Sequence, residues 1–169
     1  MRNGKVRQLT QGALVAALYV VLTYGQNILL PETANMAIQF RAAEALCVLA
    51  LFTPSAVWGL TVGCFLFNIS YVGALPLDFL IGPMASCLAA IGMWYTRKIK
   101  IFGFPFLAMC MPAMANGLFV GWELELYTGV SFWFNAVCVA LGELGVLFTL
   151  GTSLYFSVRK LPLFRNGNG

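Results

Sequence analysis

Charged side chains are rare in this chain, and most of its carboxylates stand in or beside long apolar segments. The chain has 169 residues, of which 60% are hydrophobic and 9% are charged. The stretch IQFRAAEAL, residues 38–46, places Arg41 and Glu44 three positions apart, where helical side chains are neighbours. Other acidic residues of this kind are Asp78, Glu123 and Glu143. Such carboxylates accept hydrogen bonds from a polar ligand, pair with a cation or transfer protons in catalysis.

The elements that must position these groups are membrane helices. The mean hydropathy of +0.84 is too high for a soluble globule, and apolar segments continue from Gly12 to Phe156 with only brief breaks. A secretory signal peptide would instead give one short apolar stretch followed by ordinary composition. The sequence therefore predicts a multi-pass membrane protein with a single domain, residues 1–169.

Metal chemistry and ATP hydrolysis are both disfavoured. The five cysteines stand singly in apolar runs and the chain has no histidine, so we expect buried thiols, no metal site and no cofactor. The chain also lacks a GxxxxGK[ST] phosphate loop and does not hydrolyse ATP by that route. Energy for active transport would come from a partner or an ion gradient.

Six membrane spans are predicted, since about 20 apolar residues cross a bilayer as a helix. Their approximate limits are 8–30, 38–52, 55–71, 77–95, 104–126 and 132–158. The stretch 42–70 allows two interpretations because Thr53 and Pro54 interrupt it: one kinked helix, or two helices joined by a tight turn. In the second interpretation residues 42–52 cover only about 16 Å as an α-helix.

Basic residues decide between five spans and six, because lysine and arginine favour cytoplasmic loops. Nine of the ten fall in three clusters: Arg2, Lys5 and Arg7; Arg97, Lys98 and Lys100; and Arg159, Lys160 and Arg165. Six spans place all three clusters on the cytoplasmic side, whereas five would place the second cluster outside. We therefore predict an all-α bundle of six transmembrane helices with both termini in the cytoplasm.

This topology gives each acidic residue a depth in the membrane. Glu44 falls just inside the outer end of the second span, and Glu143 about 17 Å into the sixth, near the midplane. The other acidic and neutral polar residues in the outer half or near the midplane are Glu32, Gln39, Asn68, Tyr71, Asp78, Asn116, Glu123, Glu125 and Asn135. Their distribution indicates a polar pocket open to the outside.

Simpler interpretations exist for some of these groups. Carboxylates near helix ends can contact lipid headgroups and water and no ligand. For Glu32, Asp78 and Glu125 this interpretation stands level with a position in the pocket. Arg41 and Glu44 can form a structural ion pair at their i, i+3 spacing. Glu44 and Glu143 stand deeper in apolar sequence, where an exposed charge costs about 2.5–3.5 kcal/mol, so a position facing the bundle interior is favoured for them.

Four motifs, in order along nearly the whole chain, resemble the QueT family of S components, the substrate-binding subunits of energy-coupling factor (ECF) importers. These motifs are IQFRAAEALCVLALFTPSAVWGL, GALPLDFLIG, MANGLFVGWELEL and VALGELG. The resemblance implies a six-helix subunit in a bacterial plasma membrane that captures a queuosine precursor, a 7-deazaguanine base, from outside. It also implies a transmembrane coupling protein and two cytosolic ATPases that use the ATP. In the family an AxxxA pattern on the first helix meets the coupling protein, and Ala13 and Ala17 occupy it here.

The implied ligand suggests a role for each candidate residue. A deazaguanine presents adjacent N–H donors that one carboxylate accepts, a carbonyl oxygen that needs a donor, and a flat ring that favours aromatic faces. An aminomethyl substituent would be cationic and would favour a second carboxylate. The candidate acceptors are Glu44, Glu123, Glu143 and Asp78; the donors are Asn116, Asn68 and Arg41; the stacking residues are Trp122, Phe40, Tyr71 and Trp133. Glu44 leads this set, with Arg41 as its positioner or as a donor to the ligand carbonyl.

Three other functions compete with this one. A channel or self-sufficient ion-coupled carrier would also use intramembrane carboxylates, but it predicts polar residues along the full depth of the membrane. A membrane enzyme is disfavoured, since the chain has no histidine and no nucleophile–base motif. An S component for a vitamin or another purine stays open. We expect the basic clusters to contact membrane lipid and see no case for nucleic-acid binding.

Overall fold

The computed structural model describes residues 2–31, 38 and 40–161, with only the backbone of Arg2 and Asn3. The described chain is all-helical, which confirms the all-α part of the predicted fold, and Glu32, Gln39 and Arg165 lie outside the described residues. Its elements are α1 (Arg2–Leu29), a 3-10 helix (Ala42–Leu51), α2 (Ser55–Ser70), α3 (Asp78–Thr96), α4 (Phe106–Thr128) and α5 (Phe132–Arg159, with a π turn over Leu147–Gly151). Four of these, α1, α3, α4 and α5, are long and apolar enough to cross a membrane.

The stretch 42–70 forms two helices joined at Thr53 and Pro54, as the second interpretation required. The first of the two differs from the prediction because it is a 3-10 helix and not an α-helix. A 3-10 helix rises about 2.0 Å per residue, so ten residues cover about 20 Å, against about 15 Å as an α-helix. Eight of the ten residues are buried. The extended geometry lets a short segment run further through the bundle interior.

The packing of neighbouring helices fixes the direction of each one. In α1 and α2 the close contacts run in parallel, since Gly12 meets Gly59, and Ala16 and Tyr19 meet Gly63. The 3-10 helix runs back between them, antiparallel to α1. Glu44 contacts Tyr19 of α1, whereas Phe40, earlier in the chain, contacts Gln26, which lies further along α1. Antiparallel contacts follow between α2 and α3, α3 and α4, and α4 and α5.

These directions sort the chain into two ends. The acidic end, as we call it, holds the C-termini of α1, α2 and α4 and the N-termini of the 3-10 helix, α3 and α5. The opposite, basic end holds Lys5, Arg7, Arg97 and Arg159. Apart from Arg41, which precedes the 3-10 helix at the acidic end, the described basic and acidic side chains are therefore separated along the bundle axis, as the sequence-based topology requires.

Small residues set how closely the helices approach. Gly121 in α4 lies against the backbone of Ala136 in α5, where an added Cβ would come within 2.8 Å of the Ala136 Cα. Gly117 and Gly121, four residues apart on α4, both pack against α5 inside the bundle. On α1, Gly12 and Ala16 are buried, whereas Ala13 and Ala17 are exposed on the bundle surface. The exposed pair is free to meet another helix.

Candidate functional site

Glu44 is held in the bundle interior by hydrogen bonds from two helices. Its side chain has no exposed surface. The hydroxyl of Tyr19 in α1 donates to Oε1 at 2.8 Å, and the thiol of Cys47, one 3-10 turn further on, donates to Oε2 at 3.1 Å. Because i and i+3 side chains eclipse in a 3-10 helix, this geometry brings Cys47 to Glu44. Each carboxylate oxygen of Glu44 therefore already has a protein donor.

Glu143 is paired across the α4–α5 contact. The Asn116 Nδ2 donates to its Oε1 at 3.0 Å, and the two side chains are 2% and 1% exposed. The other oxygen, Oε2, is buried without a hydrogen-bond partner among the described residues. A buried acceptor without a donor is costly in the empty protein. Glu143 is therefore suited to receive a ligand donor.

Glu123 and Asp78 bring two carboxylates together between α4 and α3. Glu123 has no exposed surface, and neither of its carboxylate oxygens has a donor in the described part of the chain. Glu123 interacts electrostatically with the carboxylate of Asp78 as a like charge. Asp78 is fixed at the start of α3, where its Oδ2 accepts from the Leu75 N–H at 2.7 Å and its carbonyl accepts from Asn68 at 2.8 Å.

Arg41 is the cation that faces these carboxylates. It precedes the 3-10 helix and interacts electrostatically with Glu44 and Asp78, and Glu123 and Glu143 each interact with it. One guanidinium therefore interacts electrostatically with four carboxylates, and Arg41 lines the cleft together with Asp78. Among the described residues, no group of three or more histidine, cysteine, aspartate or glutamate side chains could hold a metal ion. The site favours an organic cation or a ligand with several N–H donors.

A cleft opens beside these groups at the acidic end. Its walls are Tyr19, Thr23, Asn27, Arg41, Ala43, Phe67, Asn68, Tyr71, Ala74 and Asp78. Phe67 and Tyr71 stack with ring centroids 5.0 Å apart and planes at 20°. The cleft is narrow and has room for about one water molecule, so a two-ring ligand requires side chains to move apart.

The polar face of α1 was missed by the sequence reasoning. Tyr19, Thr23 and Asn27 all line the cleft, and their spacing of four residues places them on one helix face. Gln26 on the same helix accepts from the Ala42 N–H at 2.7 Å and donates to the Phe40 carbonyl, which positions the entry to the 3-10 helix. The signal was present as polar residues at helical spacing in an otherwise apolar span.

Three aromatic candidates have much of their surface exposed. Trp122 is 48% exposed, Trp133 73% and Phe40 42%. Successive residues of an α-helix point about 100° apart, so a buried Glu123 turns Trp122 outward. There Trp122 lines an apolar groove between α3 and α4 with Leu80 and Phe119. Of the four predicted stacking residues, Tyr71 is the one in the wall of the cleft.

Comparison with known proteins assigns a family. The QueT transporter family matches residues 9–160. The queuosine precursor transporter QueT of Lactococcus lactis subsp. cremoris is 30% identical over 160 residues, which cover 88% of this chain and 90% of that protein. No solved structure matches this chain. Family membership and the four long apolar helices together indicate a multi-pass membrane transporter. The chain belongs to the QueT transporter family.

Proposed function

We propose that this chain is the S component of an ECF-type importer and captures a queuosine precursor of the 7-deazaguanine type from outside the cell. In this proposal it crosses the plasma membrane six times, with both termini in the cytoplasm. The observation that carries the proposal is the pair Asn116 and Glu143, buried in a chain of the QueT family, with no donor to Glu143 Oε2 among the described residues. The relative in Lactococcus lactis is named as a queuosine precursor transporter.

The chemistry of the ligand matches the groups in the bundle. The adjacent N–H donors of the deazaguanine pyrimidine edge bind the Glu143 carboxylate, which has an open oxygen. Arg41 donates to the ligand carbonyl, and Tyr71 supplies an aromatic face in the cleft wall. Glu44 holds Tyr19 and Cys47 through its oxygens and acts as a positioner of the 3-10 helix. Glu143, and not Glu44, is therefore the leading candidate for direct contact with the ligand.

Import requires partners that supply energy. Ala13 and Ala17 form a small, exposed surface on α1 toward the basic end, on which a helix of the transmembrane coupling protein can lie closely. Two cytosolic ATPases bind the coupling protein and hydrolyse ATP in this arrangement. α1 also lines the cleft through Tyr19 and Thr23, so one helix carries both the coupling surface and part of the ligand site.

Calorimetry on purified protein tests the ligand class. We expect 7-deazaguanine derivatives to bind and the matched 7-deazaadenine derivatives to bind at least about 100-fold more weakly, because the adenine edge lacks the paired N–H donors. Equal binding of both bases, or of neither, contradicts the proposed ligand. Mass spectrometry of ligand retained through gentle purification would reveal a vitamin or another purine instead.

Uptake into liposomes tests the energy source. We expect uptake with the coupling protein, the two ATPases and ATP, and none with this chain alone. Uptake by the chain alone, driven by an ion gradient, would instead identify a self-sufficient carrier.

A further inference from the structure

We propose that Gln26 is a positioning residue that directs the Arg41 side chain into the cleft, so that Gln26 acts on the ligand only through Arg41. The inference rests on the proposed function, in which Arg41 donates to the ligand carbonyl, and adds the group that holds Arg41 in place. Its starting observation is that the side-chain amide of Gln26 binds the backbone on both sides of Arg41.

The two hydrogen bonds of Gln26 bracket a single residue. Its Oε1 accepts from the Ala42 N–H at 2.7 Å, and its Nε2 donates to the Phe40 carbonyl. These two backbone groups belong to the two peptide units that meet at the Arg41 Cα. Because peptide units are planar, holding both of them fixes the φ and ψ of Arg41, −103° and 98°, and with them the direction of its Cα–Cβ bond.

The backbone direction matters for Arg41 because its side chain has several possible partners. Arg41 interacts electrostatically with Glu44 and Asp78, and it lines the cleft together with Asp78. An arginine side chain has many rotamers and can turn toward any carboxylate within its reach. A fixed Cα–Cβ direction restricts that choice. A group that contacts a ligand is held precisely when its supporting residues are themselves fixed.

Gln26 is set back from the ligand site. Its side chain is 9% exposed, and the described residues of the cleft wall include Arg41 and Asn27 but not Gln26. Successive residues of an α-helix point about 100° apart, which lets Asn27 line the cleft while Gln26 meets the backbone around Arg41. Gln26 therefore supports a ligand-binding group and does not itself face the ligand.

A double-mutant cycle tests whether Gln26 acts through Arg41. The dissociation constant of 7-deazaguanine is measured by calorimetry for wild type, Gln26→Leu, Arg41→Lys and the double variant. Lysine keeps the charge of Arg41 and loses the planar fork that donates to a carbonyl. The matched control is Gln11→Leu, on the same helix toward the basic end, where Gln11 accepts from the Thr53 hydroxyl at 3.3 Å.

Hydrogen–deuterium exchange of the segment that contains Ala42 reports the bracket without any ligand. We expect the Ala42 amide to exchange faster in Gln26→Leu and at the wild-type rate in Gln11→Leu. Gln26→Asn is a second variant, whose amide is one methylene shorter and does not reach both backbone groups. Size-exclusion profiles and melting temperatures show which variants are folded, and the asparagine variant takes the place of the leucine variant if the latter does not fold.

We expect Gln26→Leu and Arg41→Lys each to weaken binding about 10-fold or more, the size of a lost hydrogen bond to a charged group. The double variant should bind within about 2-fold of the weaker single variant, and Gln11→Leu should bind as wild type does.

Three results would overturn the role of Gln26 and leave the proposed deazaguanine import intact. These are unchanged affinity in Gln26→Leu, losses that multiply in the double variant, and unchanged exchange at Ala42. A loss of affinity in Gln11→Leu equal to that in Gln26→Leu would also overturn it, because the effect would then be one of general stability. Failure of 7-deazaguanine to bind wild type contradicts the proposed function itself.

Discussion

Replacing Glu143 by glutamine separates a ligand-binding role from a structural one. Glutamine keeps an oxygen that can accept the Asn116 Nδ2–H, now at 3.0 Å, and it has nearly the same volume. What it removes is the negative charge, together with the acceptor at Oε2 that has no donor among the described residues. The fold therefore loses little, whereas a ligand with paired N–H donors loses one of its acceptors.

The expected effects on ligand affinity and on protein stability differ. A hydrogen bond to a charged group contributes about 1.5–3 kcal/mol, and each 1.4 kcal/mol is a factor of ten, so deazaguanine affinity should fall about 10- to 150-fold. Protein stability should stay near that of wild type, because glutamine keeps an acceptor for Asn116, has nearly the same volume and places no charge at this 1% exposed position.

Calorimetry gives the dissociation constant, and thermal unfolding in the same detergent gives the melting temperature. Glu125→Gln is the control for removal of a carboxylate at the acidic end, and we expect it to leave both quantities near wild type. The reasoning is refuted if Glu143→Gln lowers the melting temperature and leaves the affinity unchanged, since Glu143 would then be a structural residue. A parallel loss of both would show that the glutamine does not preserve the Asn116 contact.

Three further predictions concern packing, coupling and the interior network. Gly63→Ala should destabilise the protein by about 1–3 kcal/mol, because its Cβ would come within 2.9 Å of a carbonyl oxygen of α1; Gly25→Ala, with nothing within 4 Å, should not. Equal melting temperatures would contradict this. Ala17→Trp should abolish ATP-driven uptake yet keep ligand binding, whereas Val137→Trp, on an exposed face of α5, should leave uptake intact; normal uptake by the α1 variant would remove that surface from the coupling interface. Tyr19→Phe should lower stability by about 1–3 kcal/mol, since it leaves a buried carboxylate oxygen without its 2.8 Å donor; an unchanged unfolding midpoint would argue against the bond.

Most of the helical segments could be predicted from apolar runs and their breaks. The predicted span 132–158 corresponds to α5, Phe132–Arg159, and 77–95 to α3, Asp78–Thr96. α1 begins earlier than predicted, at Arg2, because a hydropathy argument finds only the apolar part of a helix that continues beyond it. The 3-10 geometry of Ala42–Leu51 could not be predicted, since the length that this segment must cover is set by the helices around it.

The candidate site was predictable in its residue types and less so in its roles. Depth along the spans identified Glu44, Glu123 and Glu143, and all three are buried. Trp122 points outward although it belongs to the same motif as the buried Glu123, because neighbouring residues of an α-helix point in different directions. Attention to charge alone also overlooked Tyr19 and the polar face of α1, although their helical spacing was visible.

The sequence by itself determined that this protein belongs in a membrane, that it is helical and that its acidic and basic residues separate toward opposite ends. These properties follow from composition and from the order of residues along the chain. The tertiary structure decided which carboxylate oxygens are free. One of the two donors to Glu44 comes from Tyr19, 25 residues away, and the donor to Glu143 comes from Asn116, 27 residues away. Hydrogen bonds between helices depend on how the helices are rotated and packed against one another, and neither quantity is set by local sequence.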